Sequence, residues 1–436
     1  MSSPVPPALA SACAEIRTAT TEDSVCGQPA TFVAEPATTA EASALLRAAA
    51  ALDLSVVPRG AATRLGWGNS PSACDLIVST RRLDQIIEHA AGDLVVTVQT
   101  GVRLDYLQER LATEGQRLAL DPPQSGTIGG LIATNAAGPL RFRYGAPRDL
   151  LIGLTIVRAD GTVAKAGGKV VKNVAGYDLG KLFAGSYGTL GLITQATFRL
   201  HPLPAASTWI TAETHDAAQA AAVVYAAASS PLAPAAIELD GPSTSDPLTV
   251  SVLLEGDEAS VAERSGLLEA RLRSEADRVT AASVASEAAG SRPAHTKRAG
   301  RDPVSLAPGA TYTRVRATFW AGRLADVLEC VYRGAAAHGV DPAVGGSAAA
   351  GVLEIDVQGD ADAERTAAFV AGLRAALASA ASDMPTGSVV VLEAPAEVRA
   401  AVDVWGPVPS VDLMRAVKDQ FDPGHRMAPG RFAGGI

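Results

Sequence analysis

Small residues crowd three stretches in the first half of the chain, at 58 to 68, 125 to 145 and 185 to 191. The first follows the apolar pair Val56-Val57 and reads Pro58-Arg59-Gly60-Ala61-Ala62-Thr63. Small side chains there let backbone N–H groups approach an anion such as a phosphate. In the second, SGTIGG (125 to 130), the hydroxyls of Ser125 and Thr127 add O–H donors of the kind a pyrophosphate accepts. The third, GSYGTLG (185 to 191), is bare enough for a flat ring to lie against backbone. Any one of these stretches alone reads more readily as a turn than as a ligand loop, but three together point to a shared ligand. None has the spacing of a P-loop or of a Rossmann dinucleotide fingerprint.

Other chemistry is poorly provided for. The histidines, His89, His201, His215, His295, His338 and His425, stand singly in sequence. The cysteines, Cys13, Cys26, Cys74 and Cys330, form no C-x-x-C pair, so no metal site or iron-sulfur cluster is expected in this chain. A net charge of -9, with 19% charged residues, lacks the basic footprint of a nucleic-acid binder. No apolar run reaches the roughly 18 residues of a membrane span, and the N-terminus lacks the basic start of a secretory signal. The expected location is cytoplasmic, with any membrane association supplied by partners.

The elements that must position these loops follow from periodicity. Residues 41 to 52 have helical spacing and lead into the short strand SVVP; 75 to 80 and 93 to 102 are β-rich; 103 to 115 is an amphipathic helix ending near Gly115. A hairpin is predicted from 152 to 158 and 162 to 166 about Asp160-Gly161. A helix, the third glycine loop and a strand then lead to Pro202 and Pro204, which mark a domain boundary. Beyond it, alternating strands and helices predict an α+β layer with helices over an antiparallel sheet. No internal repeat is visible. At 436 residues and 47% hydrophobic content, two or three cores are expected.

Taken together, PRGAATRLG (58 to 66), TIGGLIATNAAG (127 to 138), RYGAPRD (143 to 149), KNVAGYDL (172 to 179) and GSYGTLGLIT (185 to 194) resemble the vanillyl-alcohol-oxidase/p-cresol-methylhydroxylase (PCMH) type of FAD-binding domain. The resemblance covers roughly 25 to 203, and FDPGHRMAPG (421 to 430) is similar to that family's D-P-x-x-x-x-N-P-G ending. Within the family, KNVAGYDL and the short cap resemble the E-type, FAD-binding subunits of bacterial glycolate oxidases. The implied fold is α+β: a two-lobed PCMH-type FAD-binding domain with a smaller, ferredoxin-like cap. The implied division is an N-terminal segment (1 to 24), the FAD domain (25 to 203), a cap (204 to 400) and a segment returning to the FAD domain (401 to 436).

The resemblance implies that Pro58, Arg59, Gly60, Ala61, Ala62 and Thr63 wrap the FAD pyrophosphate. Ser125, Thr127, Ile128, Gly129, Gly130, Ala133, Thr134, Asn135 and Gly138, with Tyr144 and Gly145, would line the diphosphate and isoalloxazine, and Gly188, Thr189, Gly191 and Ile193 would complete the pocket. The chain departs from the family at Ala62, where glycine is common, and at Ala428, where the ending has asparagine. The phosphate loop has no histidine, so FAD is expected to be noncovalent. The H-x-G-D-G-N-x-H metal motif of catalytic relatives is absent. Lys172, Tyr177 and Arg148 are the polar candidates for catalysis. Each has a plainer use: Lys172 as a counter-charge to phosphate or carboxylate, Tyr177 as a buried ring, Arg148 as a turn partner of Asp149. The expected function is that of an FAD-binding oxidoreductase subunit in a glycolate-oxidase-like complex that acts on a small 2-hydroxy acid, beside a catalytic flavoprotein subunit and an iron-sulfur subunit. A self-sufficient dehydrogenase and a flavin-free structural subunit are the alternatives.

Overall fold

Thr38 caps the first long helix, α1 (Thr39–Ala51), by accepting a hydrogen bond from the Glu41 N–H. The apolar face of α1, with Leu45 and Leu46 fully buried, packs in one core with strands of a small sheet. Each such leucine contributes roughly 1.5–3 kcal/mol of burial. That sheet contains β1 (Ile16–Thr18), β2 (Phe32–Ala34), β3 (Val56–Arg59) and β4 (Leu76–Ser79), in the order β1-β2-β4-β3. Strands β2 and β3 both run parallel to β4, which requires a crossover between them; α1 is that crossover. The computed structural model describes residues 4–168, 178–284, 312–359, 362–378 and 387–436.

A second lobe is a five-stranded antiparallel sheet of β5 (Ile86–Ala90), β6 (Val95–Gln99), β7 (Leu151–Val157), β8 (Val163–Gly167) and β9 (Leu192–Arg199), ordered β8-β7-β9-β6-β5. The expected hairpin is β7–β8; Gly161 takes φ +81° at its turn and Asp160 Oδ1 accepts the Thr162 N–H. The short helix α2 (Ile128–Thr134) and the C-terminal helix α3 (Val411–Phe421) belong to the same unit, which comprises residues 1–137, 145–203 and 407–436.

The other unit comprises residues 138–144 and 204–406. Its strands are β10 (Ala206–Thr214), β11 (Ala236–Gly241), β12 (Leu248–Gly256), β13 (Arg278–Val284), β14 (Tyr312–Phe319), β15 (Ala343–Gly346), β16 (Val352–Gln358) and β17 (Gly387–Glu393). They form one sheet in the order β13-β10-β12-β11-β15-β16-β14-β17. Helices Ala217–Ala228, Leu324–His338 and Ala363–Ala378 share its apolar core, as do Leu268 and Leu272 of helix Glu258–Leu272. The chain order is βαββαβ through β13 and βαββαβ again from β14, so this unit is two ferredoxin-like halves joined edge to edge at β11 and β15. The expectation of no internal repeat is thereby corrected. Each half needs only the same alternation of strand and helix patterns, so the repeat lies in topology and not in residue identity.

Candidate functional site

Two cavities with shared walls lie among the three small-residue stretches. Pro58, Gly60, Gly130, Ala133 and Tyr187 line both. Ala61, Ala62, Thr63, Arg64, Leu65, Thr127, Thr134 and Arg431 complete the first; Arg59, Thr80, Gly129, Gly188, Gly191, Leu192 and Ile193 complete the second. The loop after β3, the start of α2 and the run before β9 thus converge, although they lie far apart in sequence.

Local geometry explains the residue types. A Cβ on Gly60 would overlap the Thr127 hydroxyl, and one on Gly188, at φ +78°, would press on Pro58 at 3.2 Å. Thr127 is the N-cap of α2, and its Oγ1 accepts the Gly130 N–H at 3.3 Å. The Thr127 O–H keeps its own proton to donate. Ala62 and Tyr187 hold left-handed backbone at φ +60° and +56°. Such strain in non-glycine residues gathers at ligand sites.

The charge of the walls has one sign. Arg59, Arg64 and Arg431 line the cavities, and no Asp, Glu, His or Cys does so among the described residues. Arg59 is braced from behind by Asp23 at 3.1 Å, and the neighbouring Arg17 holds the Asp23 carboxyl well below the usual carboxylate range. Arg64 donates to the Gln124 carbonyl at 2.5 Å. Arg431 donates to the carbonyls of Leu65 at 2.8 Å and Trp67 at 2.7 Å, which fixes its guanidinium against the first loop. Cationic walls with bare backbone suit a diphosphate and reject an unpaired cation.

Some of the expected residues stand elsewhere. Ile128 is fully buried, and Thr189 is buried with its hydroxyl donating to the Ser186 carbonyl. Asn135 closes α2 in left-handed backbone, its Oδ1 accepting the Arg148 N–H. Ser125 and Gly145 lie in the same unit and line neither cavity, while Gly138 and Tyr144 fall in the other unit, where Tyr144 donates its hydroxyl to Glu255. Arg148 lines a separate cavity of about 410 Å³ beside α3, and Lys172 and Tyr177 lie outside the described residues. Tyr187, Arg64, Thr80 and Arg431 are lining residues that sequence reasoning missed. Tyr187 stood inside the third stretch and Arg431 one residue past the tail motif, so proximity to a motif was the available signal.

Behind the site, Lys418 is fully buried and bonded to Asp422 at 2.7 Å. Burial pushes its ammonium pKa down, against the pull of Asp422. His425, the tail histidine, pairs with Asp419 at 2.8 Å and is half-exposed. Among the described residues no three His, Cys, Asp or Glu side chains gather as a metal site, and no helix is long and apolar enough to cross a membrane.

Residues 30–167 match the FAD binding domain family. The chain is 37% identical over 217 residues to the glycolate oxidase subunit GlcD of Bacillus subtilis, a match covering 48% of this chain and 46% of that protein. It is 37% identical over 171 residues to the D-lactate dehydrogenase of Archaeoglobus fulgidus, covering 39% and 38%. The matched region thus spans less than half of these relatives. Among solved structures, alkyldihydroxyacetonephosphate synthase superposes with a TM-score of 0.68 at 15% identity, covering 92% of this chain and 77% of that one, which shows a common fold.

Proposed function

We propose, from the match of residues 30–167 to the FAD binding domain family and the likeness to a glycolate oxidase subunit, that this chain is the FAD-binding subunit of a glycolate-oxidase-like complex. Its cofactor is FAD. In this reading FAD is held noncovalently, the complex oxidises a small 2-hydroxy acid, and a catalytic flavoprotein and an iron-sulfur chain are the partners. The E-type assignment rests on KNVAGYDL and the cap.

The observation that carries the reading is the pair of arginine-lined cavities enclosed by the three loops. When bound, FAD supplies an acceptor for a hydride equivalent and a source of single electrons. The chain's own residues do the rest. Arg59, Arg64 and Arg431 offer charge to the diphosphate, the Thr127 hydroxyl offers a donor, and Gly188 and Gly191 keep the remaining wall free of side chains. With no His or Cys on these walls, Tyr187 is the described lining residue of a type able to form a covalent flavin link.

A second reading, a dehydrogenase complete in itself, draws on the likeness to D-lactate dehydrogenase and on Arg314 and Arg316 of the β14 strand. Cations of this kind suit a 2-hydroxy acid carboxylate, although here they bond Asp356 and Glu354 at 2.8 Å.

One preparation tests both readings. The purified chain is expected to be yellow, to release its flavin into the supernatant on acid precipitation, and to keep its colour when glycolate or D-lactate is added without partners. Colour retained in the pellet overturns noncovalent binding. Rapid bleaching of the chain alone overturns the subunit reading in favour of the self-sufficient one. A preparation that takes up no FAD overturns both and leaves the structural subunit.

A further inference from the structure

The C-terminal tail and the third loop meet at one buried side chain. Lys418 Nζ donates to the Thr189 carbonyl at 2.7 Å, to Asp422 Oδ2 at 2.7 Å and to the Met427 carbonyl at 2.8 Å. Asp422 Oδ2 in turn accepts the Met427 N–H at 2.7 Å. An ammonium has three protons to donate, so this one is fully committed.

Two of the three acceptors belong to opposite walls of the site. Thr189 follows Gly188 and precedes Gly191, both of which line the second cavity. Met427 pairs with Val56, and the flanking bonds from the Val56 N–H to Arg426 at 2.8 Å and from the Ala428 N–H to Val56 at 2.7 Å lay the tail along β3. Strand β3 delivers Gly60 to the first cavity, and further along the tail Arg431 enters that cavity itself.

We propose that Lys418 is a positioning residue for FAD, a clamp that sets the separation of the first and third loops and makes the C-terminal tail a working part of the flavin site. The proposal rests on the reading of the cavities as the FAD site. A lysine with a merely structural role would cost stability when replaced, through the backbone groups it leaves unpaired, and would leave FAD affinity of the folded chain unchanged. A clamp loses FAD affinity as well, because the third loop is no longer tied to the tail at the Thr189 carbonyl.

The test uses the full chain stripped of flavin, as wild type and as the double variant Lys418→Met with Asp422→Leu. Thermal melting reports stability, and flavin fluorescence quenching reports the FAD dissociation constant. The double variant is expected to melt below wild type, because the Thr189 and Met427 carbonyls and the Met427 N–H lose their partners, and to bind FAD at least about tenfold more weakly at a temperature where it is fully folded. A variant that is folded at the assay temperature and binds FAD within about twofold of wild type overturns the clamp. Should the variant not fold, amide exchange of the wild-type chain decides the matter. Addition of FAD is expected to slow Val56, Met427 and Ala428 together with residues 186–191; slowing confined to the loops overturns the proposal. Failure of the wild type to bind FAD sinks the cofactor reading and the clamp with it, which is distinct from a wild type that binds and a variant that binds equally.

Discussion

Ala62 and Ala428 are two positions where the chain departs from the pattern of the family it resembles, and both hold left-handed backbone, at φ +60° and +44°. Glycine and asparagine are the residues that tolerate this conformation, so the departures store strain without moving the chain. Relief of that strain at Ala62, less the entropy cost of glycine, should make Ala62→Gly more stable by roughly 0.5–1 kcal/mol in thermal melting of the flavin-free chain. Gly60→Ala should do the opposite at the site. Its Cβ would displace the Thr127 hydroxyl, and FAD affinity should fall by about tenfold or more in a quenching titration. Residue type was enough to flag Ala62 from sequence. That Gly60 must stay bare for Thr127, distant in sequence but packed against it, is a fact of packing.

At the level of elements, the first small-residue loop is aimed by the end of β3 and by what grips it. Asp23, buried before β2, takes two bonds from Arg17 at 2.7 and 3.1 Å and one from Arg59 at 3.1 Å. The Arg17 bond is the leading cause of the depressed Asp23 pKa. A carboxyl with a lower pKa in the folded chain is protonated more readily in the unfolded one. Its stabilisation is therefore complete above the usual carboxylate range and is lost as pH falls through that range towards the folded value. Chemical denaturation between about pH 6 and pH 2 should show Asp23→Asn less stable than wild type at the upper end and the two curves converging at the lower. A constant difference would mean that Asp23 acts by shape alone. The strands, α1, the β7–β8 hairpin and the glycine loops were legible because each follows from local periodicity or turn chemistry. The Arg17–Asp23–Arg59 network was not, since none of its members has a distinctive neighbour in sequence.

For the whole molecule, FAD bound to the folded chain and not to the unfolded one adds to stability by mass action, by about 2.7 kcal/mol at 100 times the dissociation constant. Calorimetry at rising FAD should show the transition of the unit that holds the cavities moving upward, and no such movement would count against the site. By itself the sequence determined the α+β class, the three small-residue loops and the absence of a P-loop or Rossmann spacing, because close backbone approach demands small residues at the contact and leaves that mark locally. Tertiary structure alone decided three things. It brought Tyr187 and Arg431 to the cavity walls, sent Gly138 and Tyr144 to the other unit, and joined two ferredoxin-like halves into one sheet. Two of these depend on long-range pairing: the Met427–Val56 bridge for Arg431 on the tail, the β11–β15 edge for the double sheet. Pairing of that kind depends on backbone hydrogen bonds and complementary surfaces, which carry no signature in the order of residues along the chain.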